Sequence, residues 1–182
     1  VLKVDQNNKL QWILSPNYKW GKTGRDGNGF DPREFVLTAI DAEENPLPSR
    51  VQQGLAGTDD FEWSTGQHAL NLLPNGNLLL FDNGLSRNFA GKPTYSRAVE
   101  YRIDEENRTI QQVWQYGKER GREMHSPITS DVDVLPQTGN RLIVAGNIRA
   151  SEDRPHAKVI EITHPENKVV FEAKVYFKDL NG

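Results

Sequence analysis

The chain has 182 residues, enough for one domain with a substantial core. Its 36% hydrophobic and 26% charged content is ordinary for a soluble protein, and its net charge of −3 argues against non-specific nucleic-acid binding, which needs a basic face. It has no cysteine, which excludes a disulfide framework, thiolate zinc sites and a cysteine nucleophile, and no apolar run as long as a membrane span.

The chain opens at Val1 without a Met, a basic n-region or an h-region, so it shows no signal peptide and reads as a mature chain or a piece of a longer one. "LKVDQNNKLQWIL" (2–14) reads as strand, Asn turn, strand. Residues 15–65 read as a long loop insertion. Within it "DPREFVLTAI" (31–40) predicts a short helix, with Asp31 as N-cap and Pro32 at the first helical position. "HALNLLPNGNLLLFDNG" (68–84) is a short strand ending in Leu-Pro, a Gly-Asn turn and an apolar strand, continuous as expected of a strand covered on both faces. "AVEYRIDEENRTIQQVWQY" (98–116) is an alternating strand, a turn ending in Glu-Asn and a second alternating strand. No segment sustains a 3.6-residue period, so no long helix is predicted.

The two patterns then recur. "SDVDVLPQTGNRLIVAGN" (130–147) repeats the first and "KVIEITHPENKVVFEAKVY" (158–176) the second, with the turn residues Asn107 and Asn167 lying 60 positions apart. Repeated four-stranded units of this length predict an all-β fold of the β-propeller type. A β-sandwich is the rival, but it rarely repeats one four-strand unit with the same turn chemistry. The single domain 1–182 then holds about two and a half four-stranded blades: the end of one blade at 2–14, the insertion at 15–65, and full blades at 66–116 and 127–176. Propellers usually have about four to eight blades, so the chain reads as part of a larger ring. Exposed strand edges invite pairing with a second copy, a homodimer.

In such a ring the innermost strand of each blade starts at one mouth of the channel. His68 and "SPITS" (126–130) are expected to share that mouth, which also receives 82–97, 116–125 and 145–157. The cations counted there are Arg87, Lys92, Arg97, Lys118, Arg120, Arg122, Arg149 and Arg154, against Asp82, Glu119, Glu123, Glu152 and Asp153. They are either solvated loop charge or a site for an oxyanion, sulfate or phosphate, which the planar arginine fork suits. Of the four histidines, His164 precedes Pro165 in an opposite-rim turn and reads as structural, His156 begins a third strand, and His125 directly precedes "SPITS". His68 opens an innermost strand among small residues that leave room for a ligand. A strand histidine is otherwise a hydrogen-bonded structural residue, and no G-x-S-x-G, P-loop or H-E-x-x-H pattern supplies another chemistry. No two His or carboxylates have metal-ligand spacing on one strand face, so no metal and no cofactor are expected.

"WILSPNYKWG" (12–21), "FEWSTGQHAL" (61–70), "LLLFDNG" (78–84), "YSRAVEYRID" (95–104) and "QYGKERGREMHSPITS" (115–130) together resemble the bacterial arylsulfate sulfotransferases. The order and spacing of the motifs carry the resemblance over most of residues 10 to 130; residues 131–182 are less distinctive. It implies a six-bladed propeller, periplasmic or otherwise exported, that moves a sulfuryl group from a phenolic sulfate donor to a phenol acceptor by a ping-pong route through a sulfohistidine. It further implies His68 as the nucleophile and Thr129 as a funnel residue near it. Arg97, inside the "YSRAV" motif, is the first choice for a second anion-binding group and Arg87 the alternative. The remaining catalytic groups of the family have no counterpart in this chain. A non-catalytic propeller scaffold, or a propeller lyase or hydrolase acting on an anionic sugar, are the rival readings.

Overall fold

The alternation in the sequence folds as hairpins. A computed structural model describes residues 1–18, 20–25, 27–85, 94–149 and 154–176. Its strands are β1 (Leu2–Val4), β2 (Leu10–Ile13), β3 (Thr38–Ala39), β4 (Gln67–Leu72), β5 (Leu78–Asp82), β6 (Arg97–Asp104), β7 (Thr109–Tyr116), β8 (Ser130–Val134), β9 (Arg141–Ile148), β10 (His156–Ile162) and β11 (Val169–Tyr176). The only helices among the described residues are one α turn, α1 (Ser49–Gln52), and two 3-10 turns at Pro32–Phe35 and Gly121–Met124. The chain is all-β; no closed ring of strands is present among the described residues. It divides into two compact units: Val1–Trp63 with Tyr101–Gln112, and Ser64–Glu100 with Val113–Gly182. Strands β6 and β7 run through both.

In the first unit β1 and β2 pair antiparallel, Leu2 opposite Ile13. Their turn is set by Asp5, whose carboxylate accepts from the amides of Asn7 and Lys9, with Asn8 in the left-handed region at φ 59°. The helix predicted over 31–40 is a single 3-10 turn. Asp31 caps it, accepting from the Arg33 amide at 3.1 Å, and Pro32 stands at its start. It stops at Val36 because the chain turns extended and Thr38–Ala39 pairs in parallel with Thr109–Ile110 of β7. This adds a fifth strand to a sheet expected to have four, in the order β3-β7-β6-β5-β4. The unit's core is aromatic. Phe61 meets Trp63 edge-on at 5.0 Å, the Trp63 indole donates to the Val51 carbonyl at 2.7 Å, and the Tyr101 hydroxyl donates to the Glu62 carbonyl at 2.6 Å. These partners answer the polar ends of side chains that are otherwise fully buried.

In the second unit β4 and β5 pair antiparallel beside the unit's own ends of β6 and β7, and β8 to β11 form a four-stranded antiparallel sheet. Its core is made by Leu79 and Phe81 of β5, Val132 of β8, Ile143 and Ala145 of β9, and Ile160 and Ile162 of β10, with Ala98, Trp114 and Met124. The apolar run "LLLF" lies within β5, which is buried at all five positions. A buried ion pair crosses the unit. Arg141 reaches Glu100 at 3.0 Å and its guanidinium lies over the Trp114 ring at 5.7 Å, while the Asn77 amide donates to the other Glu100 oxygen at 2.6 Å. His164 closes the group, edge-on to Trp114 at 5.3 Å and 3.7 Å from Glu100. Burial, then the Arg141 charge, holds its imidazole below the ordinary histidine pKa.

A second charge cluster fixes the segment that leads to β8. Arg120 makes two 2.9 Å bonds to Glu172 of β11 and two, of 2.5 and 3.4 Å, to Glu123, and Lys158 of β10, almost wholly buried, bonds both carboxylates. Arg120 first, then Lys158, holds the Glu123 carboxyl down to about 2. Because this folded-state pKa lies below the ordinary 4.5, the stabilisation is present above pH 4.5 and is lost as pH falls toward 2. The exposed half of the carboxylate is screened by water, which keeps the effect small. Glu123→Gln is expected to flatten the acid limb of a urea-midpoint series over that window; an unchanged slope would show that the pair does not couple to folding.

Candidate functional site

His68 is the second residue of β4. The strand is entered through Gly66 at φ +76°, where an added Cβ would lie 2.8 Å from Leu85 Cδ1. The amide of Asn83 donates to the Gly66 carbonyl and that of Leu85 to Thr65, so the end of β5 is laced to the start of β4. Asp82 strengthens the lacing: one carboxylate oxygen accepts from the Thr65 amide at 2.8 Å and the Gly84 amide at 3.1 Å. Of the four histidines His68 alone is exposed, and no described residue hydrogen-bonds its ring.

Thr129 immediately precedes β8, also exposed, at φ +50°. Its hydroxyl donates to the Ile128 carbonyl at 2.8 Å, and its own carbonyl accepts from the Gly146 amide and the Ser126 hydroxyl, each at 3.2 Å. Gly146 is required there, since a Cβ would stand 2.7 Å from that carbonyl oxygen.

The structure ties the openings of β4 and β8 to one knot. Asn83, fully buried, donates its side-chain amide to the Ser126 carbonyl at 2.6 Å while its backbone amide holds Gly66. The Ser96 hydroxyl donates to the carbonyls of Asn83 at 2.8 Å and Ser126 at 3.1 Å, and lies 2.9 Å from the Ser126 amide. Lower down, the Asn71 amide of β4 donates to the Val132 carbonyl of β8 at 2.8 Å. His68 lies three residues before Asn71, and Thr129 three before Val132, so both stand at the knotted edge. Asn83, Ser96 and Ser126 were not anticipated. The signal was present: each belongs to a quoted motif ("LLLFDNG", "YSRAV", "HSPITS") but carries no reactive group of its own.

Arg97 lies elsewhere than a rim cation would. It is completely buried, its Nε donating to Asp82 at 3.1 Å and its Nη1 to Gln115 at 2.6 Å. Asp82, counted as an opposing rim charge, is its partner. Enclosed in this way, Arg97 supports the carboxylate that laces Thr65 and Gly84. Arg87 lies outside the described residues. Arg120 is committed to Glu123 and Glu172, while Arg122 and Arg149 are exposed. His156, at the start of β10, is buried, with Nδ1 2.9 Å from the Arg154 carbonyl and its ring against Tyr176. A cleft of about 650 Å³ in the first unit is lined by Asn17, Trp20, Arg33, Leu37, Thr38 and Gln52 among others, none of them a histidine. Among the described residues no three His, Asp or Glu side chains gather as metal ligands.

These features define an all-β protein whose one exposed histidine lies at the start of a strand. The profile of the arylsulfotransferase (ASST) family matches residues 1–180, and the chain belongs to that family. It is 36% identical over 157 residues to the arylsulfate sulfotransferase AssT of Lelliottia amnigena, covering 84% of this chain and 25% of that protein. It is 38% identical over 152 residues to the arylsulfate sulfotransferase AssT of Escherichia coli O6:H1 (strain CFT073), covering 81% of this chain and 24% of that one. The chain therefore spans about a quarter of the length of these curated relatives. No helix among the described residues is long and apolar enough to cross a membrane.

Proposed function

We propose that this chain is a segment of an arylsulfate sulfotransferase in which His68 is the nucleophile. A neutral imidazole nitrogen attacks the sulfur of a phenolic sulfate ester. The N–S bond forms, the S–O bond to the ring breaks, and the phenolate leaves and takes up a proton. A phenol acceptor then loses its proton and attacks the sulfohistidine, releasing the imidazole. Covalent catalysis thus divides one hard transfer into two easier ones. The observation that carries the reading is the exposed ring of His68, hydrogen-bonded by no described residue, at a strand opening tied to the one beside Thr129, in a chain of this family. Thr129 offers a hydroxyl near the sulfuryl oxygens, Arg97 holds the edge through Asp82, and Arg87 remains the proposed direct anion contact.

In this reading the β4–β7 and β8–β11 sheets are two blades of a six-bladed propeller, and β1–β2 closes a third. The enzyme is periplasmic or otherwise exported, uses no cofactor, and has exposed edges suited to homodimerisation. A second group must protonate the leaving phenolate and later deprotonate the acceptor. We place it in the part of the enzyme that this chain does not span.

The test uses p-nitrophenyl sulfate and phenol. A full-length relative carrying this segment is expected to release nitrophenolate and to trap radioactive sulfate on the peptide containing His68; label on another residue overturns the assignment. The 182-residue chain alone is expected to turn over more slowly by roughly 10² to 10⁴, the usual contribution of a general acid–base group. Equal turnover would place that group within these 182 residues.

A further inference from the structure

Six residues other than glycine have a positive φ among those described: Asn8, Glu44, Ala69, Arg108, Thr129 and Asn167. Four of them turn the chain at hairpins or tight loops, where the left-handed conformation is expected. Ala69 and Thr129 do not. One follows His68 within β4 and the other opens β8.

The register around Ala69 gives that conformation a purpose. Gln67 pairs with Asp82 and His68 with Phe81, but Asn71 pairs with Leu79. Ala69 and Leu70 together oppose Leu80 alone, so β4 carries one extra residue. This is a β-bulge whose first residue is left-handed, the place usually held by glycine. Residues directly opposite in a ladder project to the same face. His68 therefore shares the face of Phe81, and Asn71 that of Leu79. Phe81 and Leu79 are two apart on β5 and belong to one face, packed with Val132 and Ile143. His68 and Asn71, three apart in sequence, thus face the same way. In a regular strand they would face opposite ways. Asn71 shows which way that is, since its amide reaches Val132 of β8.

We propose that the Ala69 bulge is a positioning device that turns His68 toward β8 and the Thr129 edge. If the same residues ran without a bulge from the Asn71–Leu79 pair, His68 would fall opposite Asp82, two residues from Leu80 and on the same face. It would then face the buried Asp82–Arg97 pair and be closed off. Ala69 touches no reacting atom; it acts through His68. Its value to sulfuryl transfer rests on the reading of His68 as nucleophile, whereas the aiming itself does not.

The experiment is peptide-mapped carbethoxylation of the 182-residue chain by diethyl pyrocarbonate. Among the four histidines His68 is expected to react fastest. Ala69→Gly suits the left-handed position and is expected to keep the His68 rate within about twofold. Ala69→Val places a β-branched side chain where it is strongly disfavoured and is expected to slow His68 by roughly fivefold or more, with His125 and His164 unchanged. A folded A69V chain labelled at the parent rate overturns the proposal. Should A69V fail to fold, nuclear Overhauser contacts in the unaltered chain decide. Contacts from the His68 ring to residues 129–132 support the proposal, and contacts to Leu80 or Asp82 overturn it. A parallel sulfuryl-transfer assay of A69V and H68N in the full-length relative separates the two readings. Undiminished transfer by H68N removes the nucleophile assignment while the labelling still judges the bulge.

Discussion

His68→Asn in the full-length enzyme is expected to lower kcat for sulfuryl transfer by about 10⁴ to 10⁶, the range seen when a nucleophile that forms a covalent intermediate is removed. Asparagine keeps the side chain's size and polarity but cannot carry the sulfuryl group. The fold should be indifferent to the change, because the ring is exposed and no described residue bonds it. The melting temperature is therefore expected to stay within a degree or two, about what an exposed substitution does. Substrate binding should move less than kcat, since the imidazole's main contribution comes after the ester is seated. A variant that keeps more than about one hundredth of the parent kcat would show that another group attacks sulfur.

Arg141→Ala is expected to be the most destabilising single change in the second unit. It removes the cation from a carboxylate that is almost completely buried, leaving Glu100 with the Asn77 amide and, 3.7 Å away, the partly buried His164. Breaking one side of a buried pair costs about 3 to 5 kcal/mol. For a chain of this size that is a fall of roughly 6 to 20 °C in melting temperature. The guanidinium also leaves the Trp114 ring, so some of the loss is packing rather than charge. The double variant Glu100→Gln with Arg141→Ala should recover the electrostatic part of it, because neither charge is then stranded. Calorimetry of the four proteins of this cycle measures the coupling; additive losses would mean that the pair is electrostatically idle.

Much of the strand content was legible because it rests on local chemistry. "AVEYRI" lies in β6 and "KVIEI" in β10, where alternating apolar residues meet a one-sided or two-sided core, and "LLLF" is buried as a continuous run predicts. The strand that begins at Gln67–His68 was legible too, since small residues before it and apolar residues within it are features of neighbouring sequence. What was not legible depends on distant partners. β3 is two residues long and its partner lies some seventy residues on, so no local pattern marks it. Arg97 read as a rim cation because its counter-ion, Asp82, sits in a separate motif and itself read as loop charge. The bulge at Ala69 was hidden twice: "QHALNL" contains the alternation of a regular strand, and the left-handed position holds an alanine where glycine would have announced it.

The discontinuity of the first unit bears on how the chain is made. Its residues 1–63 are complete only with 101–112, which return through β6 and β7 to receive β3 and to set Tyr101 against Phe61. On a ribosome adding about 5 to 20 residues per second, Trp63 is followed by roughly 2 to 10 s of synthesis before Gln112 appears. For most of that interval, until residue 101 is made, Phe61 and Trp63 have no Tyr101 to cover them. The second unit's first segment, 64–100, emerges inside the same interval. Nascent chains stalled before residue 101 should consequently be protease-sensitive throughout 1–63, and those stalled well beyond 112 should be protected there.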